Sequence, residues 1–239
     1  LEFCIMKLDI LVFAAHPDDA ELACGGTIAK HVKNGYKVGI IDLTNGELSS
    51  RGNVDLRRKE AQKAAEILGL SVRENLGFRD GFFEIDEYHL LEIVKKIRQY
   101  QPAIVLCNAI DDRHPDHKRG GDLVERAFFL SGLVKIETEI NGVAQSIWRP
   151  KKLIHYIQEK YIKPSFVVDI SDFLEVKFKS IEAYTSQFYQ KDSDEPYTKI
   201  SGEGYFEFLK SRAKELGSQS GYDYAEGFVS KTLIGIDNI

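Results

Sequence analysis

Two short clusters hold most of the residues in this chain that could do chemistry. The first is Ala15-His16-Pro17-Asp18-Asp19-Ala20-Glu21 and the second is Asp111-Asp112-Arg113-His114-Pro115-Asp116-His117; between them they carry three of the six histidines, each beside carboxylates. Imidazole nitrogen combined with carboxylate oxygen suits Zn2+ well, and Fe2+ or Co2+ less distinctively. A catalytic zinc takes three protein ligands and keeps one position open for water. His16 and Asp19, three residues apart, offer one imidazole and one carboxylate. His117 would supply the third ligand from the second cluster, leaving Asp18 and His114 next to the metal but free of it.

Both clusters must be carried to one place. Residues 8–14 form a run, apolar apart from Asp9 and rich in branched side chains, with the pattern of a strand buried on both faces, and the first cluster starts where it stops. Gly25-Gly26-Thr27 is expected to open a helix over about 28–34, and the turn at Asn34-Gly35 leads to a strand at 37–43. Asn53-Val54-Asp55 precedes a helix that runs to Leu68 and stops at Gly69. A short strand is expected at 72–76 and a helix at 88–100, where Leu90, Leu91, Val94 and Ile97 share a face. A fourth buried strand at 103–107 and a helix over about 117–130 follow. This rhythm predicts an α/β fold: a Rossmann-like three-layer α/β/α architecture with a mainly parallel sheet. Such sheets commonly hold the first strand centrally with the fourth beside it, and bind ligands beyond the carboxyl ends of that pair. The two clusters then face each other across that crevice.

The second half is less regular. Strands are expected at 153–158 and 166–170, helices at 174–188 and 205–216, and a last strand or extended tail at 228–234. The polar stretch 192–204, with Pro196 and two glycines, reads as a mobile loop. With no repeat, low-complexity tract or linker, the 239 residues are read as one domain. Met6, the only methionine, is expected to be the natural start, with residues 1–5 foreign to the protein.

The net charge of −5 argues against a nucleic-acid partner, though a local basic pocket for an anionic small molecule remains compatible with it. No apolar run approaches the roughly 18 residues a membrane helix needs. The first residues lack the pattern of a signal peptide. Cys4, Cys24 and Cys107 are scattered, odd in number and without a CxxC pair, which suits a reducing compartment; a cytoplasmic protein with buried or incidental thiols is expected.

The first cluster with Gly25-Gly26-Thr27, and His114-Pro115-Asp116-His117 after it, resembles the PIG-L/LmbE family of N-acetylglucosaminyl deacetylases. The likeness runs from the first strand to about residue 130. It continues more weakly through 164–170 and Tyr184-Thr185-Ser186-Gln187. Chain length and the segments 47–57 and 164–170 look most similar to the bacillithiol-pathway members, which act on N-acetylglucosaminyl malate. The resemblance implies a zinc-dependent hydrolase of linear amides, with a small amino-sugar substrate and a homo-oligomeric assembly. It makes His16, Asp19 and His117 the metal ligands, Asp18 the general base and His114 the residue that stabilises the tetrahedral intermediate. Arg57 matches an anion- or sugar-contacting arginine, and Glu47 and Asp80 fall where relatives contact sugar hydroxyls. His114 would help most when protonated, and Asp116 is expected to favour that form and orient the ring.

Other readings compete. Asp18 and Asp116 could serve only as helix caps, and Glu47, Arg57 and Asp80 as surface salt-bridge partners. His31, His89 and His155 are read as structural. The GxGxxG fingerprint and the P-loop lysine are absent, so Gly25-Gly26 is not read as a phosphate loop. The helix over 56–66 reads as a solvated face, and Tyr184, Phe188, Tyr189, Tyr205, Phe206 and Phe208 as core or subunit contact. A zinc amidase for another acylated amino sugar or a thiol conjugate would use the same residues. A non-catalytic metal-binding module would have no use for Asp18 and His114, and a metallophosphatase would bring two metals and more bridging carboxylates.

Overall fold

The computed structural model describes residues 6–188 and 194–235. Cys4, Tyr189, Asp192 and Ser193, which the sequence reading invoked, lie outside those described residues.

Strand β1 (Ile10–Ala14) is buried along its whole length and pairs in parallel with β2 (Val38–Thr44) on one side and β4 (Ile104–Cys107) on the other. Alternation along β1 divides its side chains between two layers, since successive residues point to opposite faces. Leu11 and Phe13 pack with Ile93, Val94, Leu123 and Val124, from helices α3 (Glu87–Tyr100) and α4 (Pro115–Leu130). Ile10, Val12 and Ala14 pack with Ala20, Ala23 and Ile28 of helix α1 (Asp19–Lys33). A strand apolar at every position is thus the signature of a sheet covered on both faces. Helix α2 (Val54–Leu68) and strand β3 (Val72–Phe78) continue past β2, and the chain then returns to place β4 on the far side of β1. The switch point therefore falls between β1 and β4, as the sequence pattern required.

Beyond β4 the order continues with β7 (Lys152–Tyr156), parallel to β4, then β9 (Ala225–Val229) and β8 (Phe166–Asp169), joined antiparallel. The seven-stranded sheet is thus mainly parallel, in the order β3-β2-β1-β4-β7-β9-β8. Helices α5 (Leu174–Glu182) and α6 (Tyr205–Ser220) complete the layers. A third apolar cluster joins Ala61 and Ala64 of α2 to Ile181, Tyr184, Phe188 and Tyr205. No helix among the described residues is long and apolar enough to cross a membrane. Cys24 and Cys107 are buried, unpaired thiols.

Four sequence expectations need correction. Helix α1 begins at Asp19, well before the expected start near Ile28; Gly25-Gly26-Thr27 lies inside it, just past a break at Cys24 (φ −139°, ψ 20°). The amides after that break are capped from a distance, because the Glu226 carboxylate of β9 accepts from Gly26 N (3.0 Å) and Thr27 N (2.7 Å). The helix expected over 174–188 stops at Glu182. There the Glu60 carboxylate of α2 accepts from Ser186 N (2.7 Å), Ser186 Oγ (2.8 Å) and Thr185 Oγ1 (2.9 Å), holding that segment in a non-helical path. The last strand is Ala225–Val229 rather than 228–234. A small hairpin of β5 (Glu139–Ile140) and β6 (Val143–Ala144) went unforeseen, although Asn141-Gly142, with φ 52° and 76°, is the residue pair a two-residue hairpin turn favours. Part of the stretch 192–204 is held: Arg51 Nη1 donates to the carbonyls of Glu195 (3.3 Å) and Pro196 (2.9 Å), and Lys199–Ser201 forms a 3-10 turn capped by Thr198.

Candidate active site

The site lies beyond the carboxyl ends of β1 and β4. The first cluster leaves β1 directly, and the second reaches the same place from the start of α4. Asp19 stands between two imidazoles: its Oδ2 is 3.6 Å from His16 Nδ1 and its Oδ1 is 3.0 Å from His117 Nε2. The rings of His16 and His117 are 5.6 Å apart, and nitrogens of His16, His114 and His117 lie close enough together to hold one ion. Donor atoms of His16, Asp80 and Asp116 converge in the same way, with Asp19 in neither group, so imidazoles and carboxylates are both at hand, the chemistry a zinc-type cation uses, and the residues present fit one.

Carboxylates hold the far side of each imidazole. Asp112 Oδ2 is 2.5 Å from His117 Nδ1, which leaves Nε2 directed at Asp19. His16 Nε2 is 3.0 Å from Asp80 Oδ1 and 3.6 Å from Asp116 Oδ2, which leaves Nδ1 on the Asp19 side. Carboxylates placed behind metal-binding histidines in this way orient the ring and raise its basicity. Burial alone would depress both imidazoles. Asp116, Asp19 and Asp80 overcome it and lift His16 well above its ordinary pKa, while Asp19 and Asp112 lift His117 to about 9. Burial would raise Asp19, but His117 and His16 hold it well below the usual carboxylate range. The cluster therefore attracts positive charge strongly, whether as protons or as a metal ion that displaces them.

Asp18 stands apart from the ligand set. Its backbone has φ 117° and ψ −25°, in the left-handed region that a non-glycine residue rarely enters. It occupies the N-cap position of α1 but makes no capping bond. Its Oδ2 accepts instead from Arg57 Nη2 at 2.8 Å, and Arg57 also donates to Pro17 O through Nε (2.9 Å) and Nη2 (2.6 Å). Arg57 Nη1 is buried with no partner. Burial is the largest cause that lifts Asp18 to about pKa 7, aided by Asp19 and Glu21 and opposed by Arg57 and His16.

Behind Arg57 lies a buried polar network. The Tyr184 ring is 5.5 Å from the guanidinium, and its hydroxyl donates to Glu21 Oε1 at 2.8 Å. Glu21 pairs with Arg73, which in turn grips Asp42 through Nε (2.9 Å) and Nη2 (3.0 Å).

The other expected residues sit as follows. His114 is the N-cap of α4: its Nδ1 accepts the Asp116 backbone N–H at 3.2 Å. Burial, with the charges of the neighbouring His16 and His117, pushes its pKa below the ordinary histidine value, against the charges of Asp19 and Asp116. The Asp116 charge favours the protonated ring, as expected, but burial and the two imidazoles outweigh it, and the contact that orients the ring comes from the Asp116 backbone N–H rather than its carboxylate. The carboxylate turns instead to His16, to Gly81 N (2.8 Å) and to Arg119 Nη1 (3.0 Å), and the His114 ring presents a neutral Nε2–H. Asp80 is buried, its carboxylate shared between His16 and Leu48 N (3.0 Å), and Glu47 Oε1 accepts from Asp80 N at 2.8 Å. Both are engaged in placing His16. A cavity of about 390 Å³ opens over the cluster, lined by His16, Asp18, Arg57, Asp80 and His114 and walled on its far side by α6.

The sequence reading passed over Asn108 and Gln158, whose amides bond both oxygens of Asp19. The signal was available: Asn108 directly follows the fourth strand, and Gln158 ends the stretch expected as the next one. Asp112 and Glu21 stood in the quoted clusters without a role, while Arg73 and Asp42, in mid-strand, carried no signal at all.

The family model that matches is that of PIG-L, GlcNAc-PI de-N-acetylase, over residues 11–128. A diacetylchitobiose deacetylase of Thermococcus kodakarensis is 32% identical over 236 residues, covering 91% of this chain and 81% of that protein. A 4-oxalmesaconate hydratase of Pseudomonas putida is 28% identical, covering 74% of this chain and 73% of its own. A probable N-acetyl-alpha-D-glucosaminyl L-malate deacetylase 2 of Bacillus cereus is 27% identical, covering 76% and 84%. Among solved structures, a conserved protein of Thermus thermophilus superposes with a TM-score of 0.85 at 36% identity, covering 97% of this chain and 98% of the other.

Proposed function

Since the chain belongs to the PIG-L de-N-acetylase family, we propose that it hydrolyses the acetamide of an N-acetylated amino sugar. The observation that carries this reading is the pairing of a carboxylate-and-imidazole cluster with a second carboxylate beside it, Asp18, which is held by Arg57 rather than by the imidazoles. Asp18 is buried, strained and turned away from the ligands, an arrangement that binding alone would not need.

His16, Asp19 and His117 would hold the ion, Zn2+ being the best match to the donor set and Fe2+ or Co2+ compatible with it. When bound it supplies Lewis acidity and a water of lowered pKa. Asp18 accepts the proton of the attacking water and returns it to the departing amine nitrogen, so the proton balance closes on one side chain. Its lifted pKa suits both steps, because a base must first be free and then be able to give the proton back. The neutral His114 donates its Nε2–H to the developing oxyanion. Arg57 fixes the Asp18 carboxylate, while Asp80 and Asp116 fix His16, and Asp112 fixes His117. Every other member of the cluster thus serves either charge placement or orientation.

For the finer substrate, an N-acetylglucosaminyl malate of bacillithiol biosynthesis is supported by the sequence likeness at 47–57 and 164–170 and by the presence of Arg57 in the cavity lining, since a guanidinium is well suited to a carboxylate. The test is primary-amine release from N-acetylglucosaminyl malate, diacetylchitobiose and N-acetylglucosamine, with metal content measured. Preference for the malate glycoside supports the finer reading; preference for diacetylchitobiose would replace it while keeping the chemistry. A fully metallated enzyme that releases no amine from any of the three would overturn the deacetylase reading. The Asp18→Asn variant should keep its metal and lose about 10²–10⁴-fold in kcat. Near-normal turnover would remove Asp18 from the base role.

A further inference from the structure

We propose that Asn108 and Gln158 form an uncharged amide clamp that presets Asp19 as a metal ligand, so that affinity for the ion depends on two positioning residues outside the ligand set. The inference rests on the metal-site reading above but not on any substrate.

The two amides make five bonds and have one possible orientation. Asn108 Nδ2 donates to Asp19 Oδ2 at 3.0 Å, and Gln158 Nε2 donates to Asp19 Oδ1 at 3.0 Å. The amide orientations follow from backbone donors. Asn108 Oδ1 accepts from Ala15 N at 2.9 Å, and Gln158 Oε1 accepts from Ala109 N at 3.2 Å. A backbone N–H can only donate, so each bonded side-chain atom must be the carbonyl oxygen, and both NH2 groups must face Asp19. The two amides also lock each other, since Asn108 Nδ2 donates to Gln158 Oε1 at 3.0 Å. With His16 N donating to Asp19 Oδ2 at 3.0 Å, three donors hold the carboxylate.

The placement follows from the fold. Asp19 follows β1, Asn108 follows β4 and Gln158 follows β7, and β1, β4 and β7 are neighbours in the sheet. The clamp therefore gathers the ends of three adjacent strands onto one carboxylate, and Asn108 is fully buried there. The residue type matters as much as the place. A carboxylate at either position would repel Asp19, and an arginine or lysine would compete with the ion for it. An amide donates strongly while adding no net charge. The entropy of aligning Asp19 is thereby spent during folding, and binding the ion need not repeat it.

The experiment uses Co2+ alone with the full chain stripped of metal. Affinity is read by chelator competition, following the visible absorption of bound Co2+, and the metal-free protein is checked by circular dichroism and thermal melting. Gln158→Met keeps the side-chain length and removes the amide, including the oxygen that accepts from Ala109 N. It should weaken Co2+ binding by about 10–100-fold, with the metal-free protein still melting cooperatively at a somewhat lower temperature. Asn108→Ala should weaken it at least as much, but Ala15 N then loses its partner and the variant can fail to fold. Gln158→Met is the deciding variant, because Gln158 is only partly buried whereas Asn108 is fully buried. Binding by Gln158→Met within about twofold of wild type would overturn the clamp while leaving the metal site standing. A lower metal-free melting temperature with unchanged affinity would also overturn it, as a purely structural contact. A wild-type chain that takes up no Co2+ would overturn the clamp and the metal reading together. Failure on every amino-sugar substrate would touch only the proposed function.

Discussion

Under the proposed function, Asp18 and Arg57 would serve chemistry and selectivity as one pair of side chains. Asp18 tolerates a φ of 117°, which costs on the order of 1–3 kcal/mol for a non-glycine residue. It is buried as well, next to the carboxylates of Asp19 and Glu21. Arg57 offsets part of that cost with one nitrogen, and the residue also lines the cavity. The two functions separate kinetically. Arg57→Ala should lower kcat on every amino sugar tested, because Asp18 loses its partner. It should also raise KM by about 10–100-fold for the malate glycoside alone, the scale of one hydrogen bond to a charged group. Steady-state kinetics on the malate glycoside and on N-acetylglucosamine read both effects. An equal KM change on the two substrates would show that Arg57 serves only Asp18.

Among elements, close approach governs where the histidines end up. Helix α4 brings His114 and His117 to the end of β4 by passing its glycines against the strand's outgoing backbone. A Cβ at Gly121 would lie 2.9 Å from Asn108 O and 3.2 Å from Ala109 O. Backbone at that position cannot step aside cheaply, so Gly121→Ala should destabilise the fold by about 1–3 kcal/mol in urea melts. Metal content should fall in the same variant, because the strand end it displaces carries Asn108. Unchanged stability would contradict the close packing. On the neighbouring strand, β7, His155 is buried, with Nδ1 2.8 Å from Asn108 O and 3.4 Å from Cys107 Sγ. Burial, the largest cause, and Lys231 hold its pKa below the ordinary 6.5, against the Asn108 carbonyl and the charges of Glu125 and Asp122. The unfolded chain then binds the proton more readily than the native one, so stability rises with pH through this window. The contribution is complete above pH 6.5 and is lost as pH falls through the depressed folded value. The stability advantage of wild type over His155→Gln should therefore stay constant above pH 6.5 and shrink below it. An advantage that does not change between pH 5.5 and 8 would exclude the titration.

For the whole molecule, a buried polar chain ties the sheet to its helices. Arg73 of β3 joins Asp42 of β2 to Glu21 of α1, and Tyr184 adds its hydroxyl from the segment beyond α5. These groups are almost wholly removed from solvent, so deleting one partner leaves an uncompensated charge. Arg73→Ala should lower unfolding free energy by about 3–5 kcal/mol, while the melt remains cooperative. A loss below about 1 kcal/mol would mean that water or a rearranged side chain replaces the guanidinium.

What the sequence determined by itself was the part encoded locally. Apolar runs within 8–14, unbroken from Ile10, and at 103–107 specify strands covered on both faces, and strand–helix alternation implies a parallel sheet with a switch point beside the first strand. The clusters at His16–Asp19 and His114–His117 follow from that, because the switch point places whatever ends β1 and opens α4 in one crevice. Only the tertiary structure decided the rest. The restart of α1 after Cys24 depends on Glu226, some two hundred residues away. The end of α5 depends on Glu60, and the orientation of His114 on a backbone bond at the helix start. The placement of Asp19 depends on amides from two other strands. Each of these is a hydrogen bond whose energy is set by three-dimensional geometry, which no local pattern of residue types records.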